Sequence, residues 1–328
     1  MITDFQKRLV TQSDEILSSV TTELTTLAAV NIRHLNLHKM TPSIQVGSRL
    51  VSVERLTQDA FAPFGTVIEN PLSNRAESDT QLPRNAIYAN QGSAVKVLDV
   101  TNMTEYYAEA SSGVKAKAVM NMFVCSPRKL RDEQGLEQHV AVPFEAVFDP
   151  AGPRTRCLFD VKILERHPYT FQTFVPVALD KVDPSTSYLV IVAPTLEEPG
   201  PTAKPKNFLD RAKASLSSLS SEMTSSYGHN GSSSAGRKGP GPPDVANLRA
   251  FLARGNQAVT YAAGTWHAPM VVLGLKPVDF VVVQFANGVG PEDCQEMLIV
   301  PESADSDGVA VVIDAPIMNE ASAARAKL

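Results

Sequence analysis

Val259-Thr260-Tyr261-Ala262-Ala263-Gly264-Thr265-Trp266-His267-Ala268-Pro269 is the stretch that decides the fold class. β-Branched and aromatic residues lead to Tyr261, Gly264 marks a turn, and Trp266 and His267 open a second apolar run. Similar short runs occur at 51–56, 66–69, 94–100, 118–125, 158–164, 172–177, 188–193, 270–274, 279–285 and 297–300. They are rich in Val, Ile, Phe and Tyr and are separated by Pro, Gly, Asn and Asp, which predicts an all-β jelly-roll barrel or sandwich. One helix is expected in this region. Asp244 would cap it, Val245, Leu248, Phe251 and Leu252 would form its apolar face, and Gly255 would end it. There is no dinucleotide fingerprint, phosphate-binding loop or nucleophile elbow in the chain.

Composition narrows the function classes. The 328 residues hold 30 Lys and Arg against 35 Asp and Glu, a net charge of -5, so no basic surplus is available for nucleic acid. The 43% hydrophobic content suits a buried core. Cys125, Cys157 and Cys294 lie far apart, with no paired framework and no C-x-x-C, so a disulfide scaffold and a zinc ribbon are excluded. No apolar run approaches the ~20 residues of a membrane-spanning helix.

Residues 1–45 read as an appendage, either disordered or helical over 4–29, where Leu9, Ile16, Val20, Leu24 and Leu27 share a face. Residues 46–302 form the single domain. It is interrupted at 199–243 by a Ser/Gly/Pro-rich insertion that has too little apolar surface to offset its ordering entropy, apart from one short helix at 207–219. Residues 303–328 form a tail that ends in Ala326-Lys327-Leu328. This tripeptide resembles the S-K-L address read by the peroxisomal import receptor, so a peroxisomal location is expected. An exposed edge strand on a small barrel also predicts a homodimer.

Of six histidines, His34 and His38 fall in the appendage, His229 in the insertion and His139 in a polar connection. His167 and His267 remain. Strand alternation turns Glu165 and His167 to one side and Arg166 to the other, and Gln172 returns on the next strand. A carboxylate, an imidazole and an amide facing one cavity suit a metal or a small polar substrate. The competing reading is a solvated strand end with a surface ion pair. His267 suits a ligand at a barrel mouth, or equally a histidine satisfied by a backbone carbonyl beside a packing tryptophan.

Together the two segments resemble the two motifs of the cupin superfamily. Gly264-Thr265-Trp266-His267 matches the second, whereas Glu165-x-His167 followed by Gln172 departs from the histidine-rich first. Longer stretches resemble the ureidoglycolate lyase family: 164–168 with 172–176, 244–251 with 255–261, Trp266-His267-x-Pro269, 278–280 and Asn90-x-Gly92. This resemblance implies a cupin-type barrel that cleaves (S)-ureidoglycolate to glyoxylate and urea in allantoin breakdown. It implies His167 and His267 as base and acid, in an order left open. Asn90, Arg128, Arg166, Gln172, Tyr261 and Trp266 would contact substrate, an arginine holding its carboxylate. If a divalent metal such as nickel takes part, Glu165, His167, Gln172 and His267 are the matching ligand positions. The alternatives are another cupin enzyme, a metal-dependent dioxygenase or isomerase, and a cupin that binds a small molecule without turnover.

Overall fold

The computed structural model describes residues 41–73, 81–149, 151, 154–177, 186–196 and 238–315. The helices expected at 4–29 and 207–219, along with His34, His38, His229 and the terminal tripeptide, lie outside the described residues. Residues Met1–Ser43 and Ile44–Leu328 are separate units, and the second is described here.

The described residues are almost all strand. In chain order these are β1 (Ser43–Val46), β2 (Arg49–Arg55), β3 (Gly65–Ile68), β4 (Ala86–Ala89), β5 (Ala94–Val97), β6 (Lys117–Cys125), β7 (Leu130–Arg131), β8 (Glu137–Gln138), β9 (Thr155–Asp160) and β10 (Ile163–Arg166). They continue as β11 (Gln172–Val177), β12 (Ser187–Ala193), β13 (Arg249–Ala253), β14 (Ala258–Tyr261), β15 (Trp266–His267), β16 (Val271–Leu273), β17 (Val278–Ala286), β18 (Gln295–Pro301) and β19 (Val309–Ala315). Twelve strands form one sheet in the order β1-β18-β10-β15-β12-β13-β2-β19-β9-β7-β8, with β16 on β12. Five more form a second sheet, β3-β14-β11-β17-β6, and β4 pairs with β5 alone.

Alternation along the central strands builds two cores. Leu189, Ile191 and Ala193 of β12 and Ala250 and Leu252 of β13 face a core shared with Phe159, Leu164, Trp266, Ile299, Val311 and Ile313. That core is drawn from both ends of the large sheet, which curls around it. Tyr188, Val190, Val192, Phe251 and Ala253 face the other way, onto Phe174, Val259, Tyr261, Phe280 and Val282 of the five-stranded sheet. The arrangement is the expected cupin-type β fold. Among the described residues, no helix is long and apolar enough to cross a membrane.

Three expectations change. Asp244 does act as a cap, since its side chain accepts from the Asn247 backbone N–H, but the helix stops after one turn, Val245–Asn247. The rest of the expected helix is β13, which pairs antiparallel with β12 and parallel with β2. Its run of Ala250, Phe251, Leu252 and Ala253 is buried on both faces, and a short apolar run of that kind fits a central strand as well as a helix, so tertiary pairing decides. The strand expected at 158–164 is two strands, broken at Val161 and Lys162.

The third change concerns the domain limits. The domain does not end at 302. β19 lies between β2 and β9, and Val309, Val311 and Ile313 are buried core residues. At the insertion, Lys238 to Pro243 belong to the folded body, with Gly241 and Pro243 buried.

Ending the chain after residue 302 is therefore expected to leave an insoluble or molten product, whereas ending it after Ala315 leaves folding intact. Ile313→Ala should cost about 2–5 kcal/mol in urea unfolding, because its side chain is fully buried.

Candidate active site

β10 and β15 are antiparallel neighbours with Glu165 opposite His267 in register. Leu164 and Trp266 point into the curled sheet's own core, so Glu165, His167 and His267 point the other way, toward the five-stranded sheet. There β11, β14 and β17 align Gln172 with Tyr261 on one side and Gln284 on the other. The Tyr261 ring stacks on His267 with centroids 4.0 Å apart and planes 12° apart. The site thus sits between the sheets, at one end of the second core.

Backbone carbonyls orient both imidazoles. A carbonyl only accepts, so His167 Nδ1 donates to Asp293 O at 2.6 Å and His267 Nδ1 donates to Thr265 O at 2.9 Å. Each ring therefore turns Nε2 inward, and both Nε2 atoms are buried without a hydrogen-bond partner. His267 Nε2 stands 3.5 Å from Glu165 Oε1, long for a hydrogen bond but close enough for charge attraction. Gln172 Nε2 donates to Gln284 Oε1 at 2.6 Å, leaving the buried Gln172 Oε1 without a partner.

Electrostatics act differently on His167 and Glu165. Burial, reinforced by repulsion from His267, pushes His167 down from 6.5 to about 4, so its ring is neutral near pH 7. Burial raises the Glu165 carboxyl, but its contact with His267 and the charge of both histidines outweigh this, so its net shift is downward. One ligand atom from each of Glu165, His167 and His267 falls within 4.8 Å of the others. Two orphaned imidazole nitrogens and a carboxylate form a donor set that fits a divalent metal.

Arg166 and Trp266 take a different task from the one expected. The Arg166 guanidinium lies on the opposite face, over the Trp266 ring at 4.5 Å. It donates to the carbonyls of Gly239, Pro240 and Gly241 and to Gln295 Oε1. Trp266 Nε1 also donates to Gly241 O. The two side chains thus pin the returning end of the insertion to the back of the site. Behind this bracket lies a cavity of about 660 Å³ lined by Phe64, Leu196, Lys238, Pro240 and Thr265, which includes none of the three clustered groups.

Arg128 and Asn90 are placed elsewhere. Arg128 stacks over Phe159 and shares a basic surface hollow with Lys129, Arg131 and Lys162. Asn90 is exposed in the left-handed turn that joins β4 to β5, at φ 50°. Two residues the sequence reading missed are Asp293 and Gln284. The signal for Gln284 was a lone amide inside the apolar strand at 279–285, and for Asp293 a run of polar residues after that strand.

Loss of stability on acidification should follow from His167. Its folded value is depressed, so between pH 6.5 and about 4 the unfolded chain takes a proton that the folded one refuses. In metal-stripped protein, stability should fall across that window by up to roughly 3 kcal/mol, and His167→Gln should flatten the fall. Gly241→Ala should be more damaging than its size suggests, because an added Cβ would lie 1.7 Å from the Leu196 carbonyl oxygen. The expected readout is a lowered thermal midpoint together with weakened protection of the Trp266 indole N–H from exchange.

This geometry accompanies a clear relationship. The ureidoglycolate lyase family model matches residues 48–304. A ureidoglycolate lyase of Schizosaccharomyces pombe is 28% identical over 248 residues, covering 76% of this chain and 91% of its own. The Saccharomyces cerevisiae ureidoglycolate lyase is 28% identical over 264 residues, covering 80% and 98%. One from Burkholderia mallei is 27% identical over 235 residues, covering 72% and 82%. Residues 48–304 contain the paired strands, both inward-facing imidazoles and Glu165, and the chain belongs to the ureidoglycolate lyase family.

Proposed function

We propose that this protein is a ureidoglycolate lyase that releases glyoxylate and urea. The observation that supports this most strongly is the pair of buried Nε2 atoms of His167 and His267, both lacking hydrogen-bond partners and clustered with Glu165. In ureidoglycolate one carbon bears a hydroxyl, a carboxylate and a ureido nitrogen. Cleavage moves the hydroxyl proton to the departing nitrogen while C–O becomes C=O and C–N breaks. No net acid or base is consumed, so the reaction needs an acceptor and a donor held on either side of one carbon.

Neutral His167 is suited to accept the hydroxyl proton. His267 Nε2 faces the Glu165 carboxylate, which would stabilise the imidazolium form of this ring and suits it to deliver the Nε2 proton to nitrogen. Tyr261 keeps the His267 ring flat by stacking, and Gln172 Oε1 is the buried acceptor for ureido N–H groups. In place of that acid–base role, the same Nε2 atoms together with Glu165 would hold a divalent ion such as nickel, with Gln172 the further candidate ligand. The chemistry such an ion supplies is polarisation of a substrate oxygen.

Incubation with racemic ureidoglycolate, with urea, ammonia and glyoxylate measured separately, is the test. Urea and glyoxylate should appear in equal amounts. His167→Ala and His267→Ala should each lower kcat by about 10²–10⁴-fold. Ammonia in place of urea, or wild-type urea release from the double variant, defeats the reading. Turnover after chelation and readdition of nickel shows whether the ion is needed.

We also propose that the protein pairs with a second copy through β6, the outer strand of the five-stranded sheet. Met120, Met122 and Val124 on this strand are 70%, 58% and 67% exposed, an apolar edge that invites a further strand. Met122→Lys should convert a dimer to a monomer in light scattering. A wild-type monomer at micromolar concentration removes the proposal.

A further inference from the structure

His167 owes its orientation to one acceptor, the Asp293 carbonyl. That carbonyl belongs to a turn that is unusually well tied. The Asp293 carboxylate accepts from the backbone N–H of Asn287 to Oδ1 and of Gly288 to Oδ2, each at 2.8 Å. Tyr107, from a distant segment, donates its hydroxyl to Oδ1 at 2.6 Å and packs its ring on Tyr169. The neighbouring Glu292 takes the hydroxyls of Ser111 and Ser112 and the Asn287 amide. Thus the segment holding Tyr107, Ser111 and Ser112 grips the turn from outside, while the turn holds the imidazole from within.

We propose that Asp293 is a positioning residue. Its carboxylate closes the 287–293 turn, and its carbonyl thereby keeps His167 in the Nδ1–H tautomer with the Nε2 lone pair facing the substrate. The proposal rests on the lyase reading for its kinetic consequence only. Neutral imidazole has two tautomers of similar energy, so a displaced carbonyl would let the proton move to Nε2 and remove the acceptor. A ligating or reacting histidine whose second nitrogen loses its partner typically loses about 10–100-fold in activity or affinity.

The test uses full-length metal-free protein with ¹⁵N-labelled histidine, the His167 signals being identified from His167→Gln. Long-range ¹H–¹⁵N correlation should show Nδ1–H in the wild type and a mixture of tautomers in Asp293→Ala. Asp293→Asn, which keeps an acceptor for Tyr107 and Asn287, should restore most of the wild-type pattern. Tyr107→Phe keeps the ring packing and should shift the tautomer partway, and it decides the matter if Asp293→Ala does not fold. On ureidoglycolate, kcat should fall about tenfold or more in Asp293→Ala while KM stays within about twofold. A wild-type tautomer in both Asp293→Ala and Tyr107→Phe overturns the proposal, even if both proteins melt earlier. Should wild-type protein release no urea, the lyase reading fails while the tautomer measurement still judges Asp293.

Discussion

The facing of Glu165 and His267 across the β10–β15 ladder is the constraint on which the site depends. Successive strand residues point to opposite faces, so this one register sorts chemistry from support. Glu165, His167 and His267 face the space between the sheets. Leu164, Arg166 and Trp266 face the curled core and the returning insertion. A slip of one residue would exchange the two sets, burying the carboxylate in an apolar core and exposing the tryptophan. The fully buried β12, which pairs with β15 at Val192 and Ala193, secures the register from the other side.

Much of this was legible in the sequence because alternation is a local property. The strands at 118–125, 172–177 and 279–285 follow from their β-branched and aromatic runs, and β11 occupies Gln172–Val177 as expected. The orientation of Glu165 and His167 against Arg166 follows from the same two-residue period. The competing reading of His267, a ring satisfied by a backbone carbonyl beside a packing tryptophan, is also true of it. Nδ1 bonds Thr265 O while Nε2 remains open, so the two readings describe opposite edges of one ring.

What escaped the sequence was non-local. β13 resembles a helix because both of its faces are apolar, and only pairing with β12 and β2 shows it to be a strand. β19 looks like tail because both of its partners, β2 and β9, lie more than a hundred residues away in sequence. The family resemblance implied Arg166 as a substrate contact, with an arginine holding the carboxylate. Its actual acceptors are three successive carbonyls at the end of a low-complexity stretch, where composition indicates no structure. Asp293 shapes the site through its backbone oxygen, an atom that every residue type possesses.

The neck of the insertion has a consequence for how such chains diverge. Leu196 N–H donates to Pro242 O, Asp244 N–H donates to Pro194 O, and Thr195 bridges Pro243, so the two ends meet and are fastened. Loop closure grows only with the logarithm of length, about 0.6 kcal/mol for each doubling. Chain between 197 and 237 can therefore be gained or lost at small thermodynamic cost while the carbonyls facing Arg166 stay in place. The neck uncouples the number of residues between its two ends from the geometry of the site.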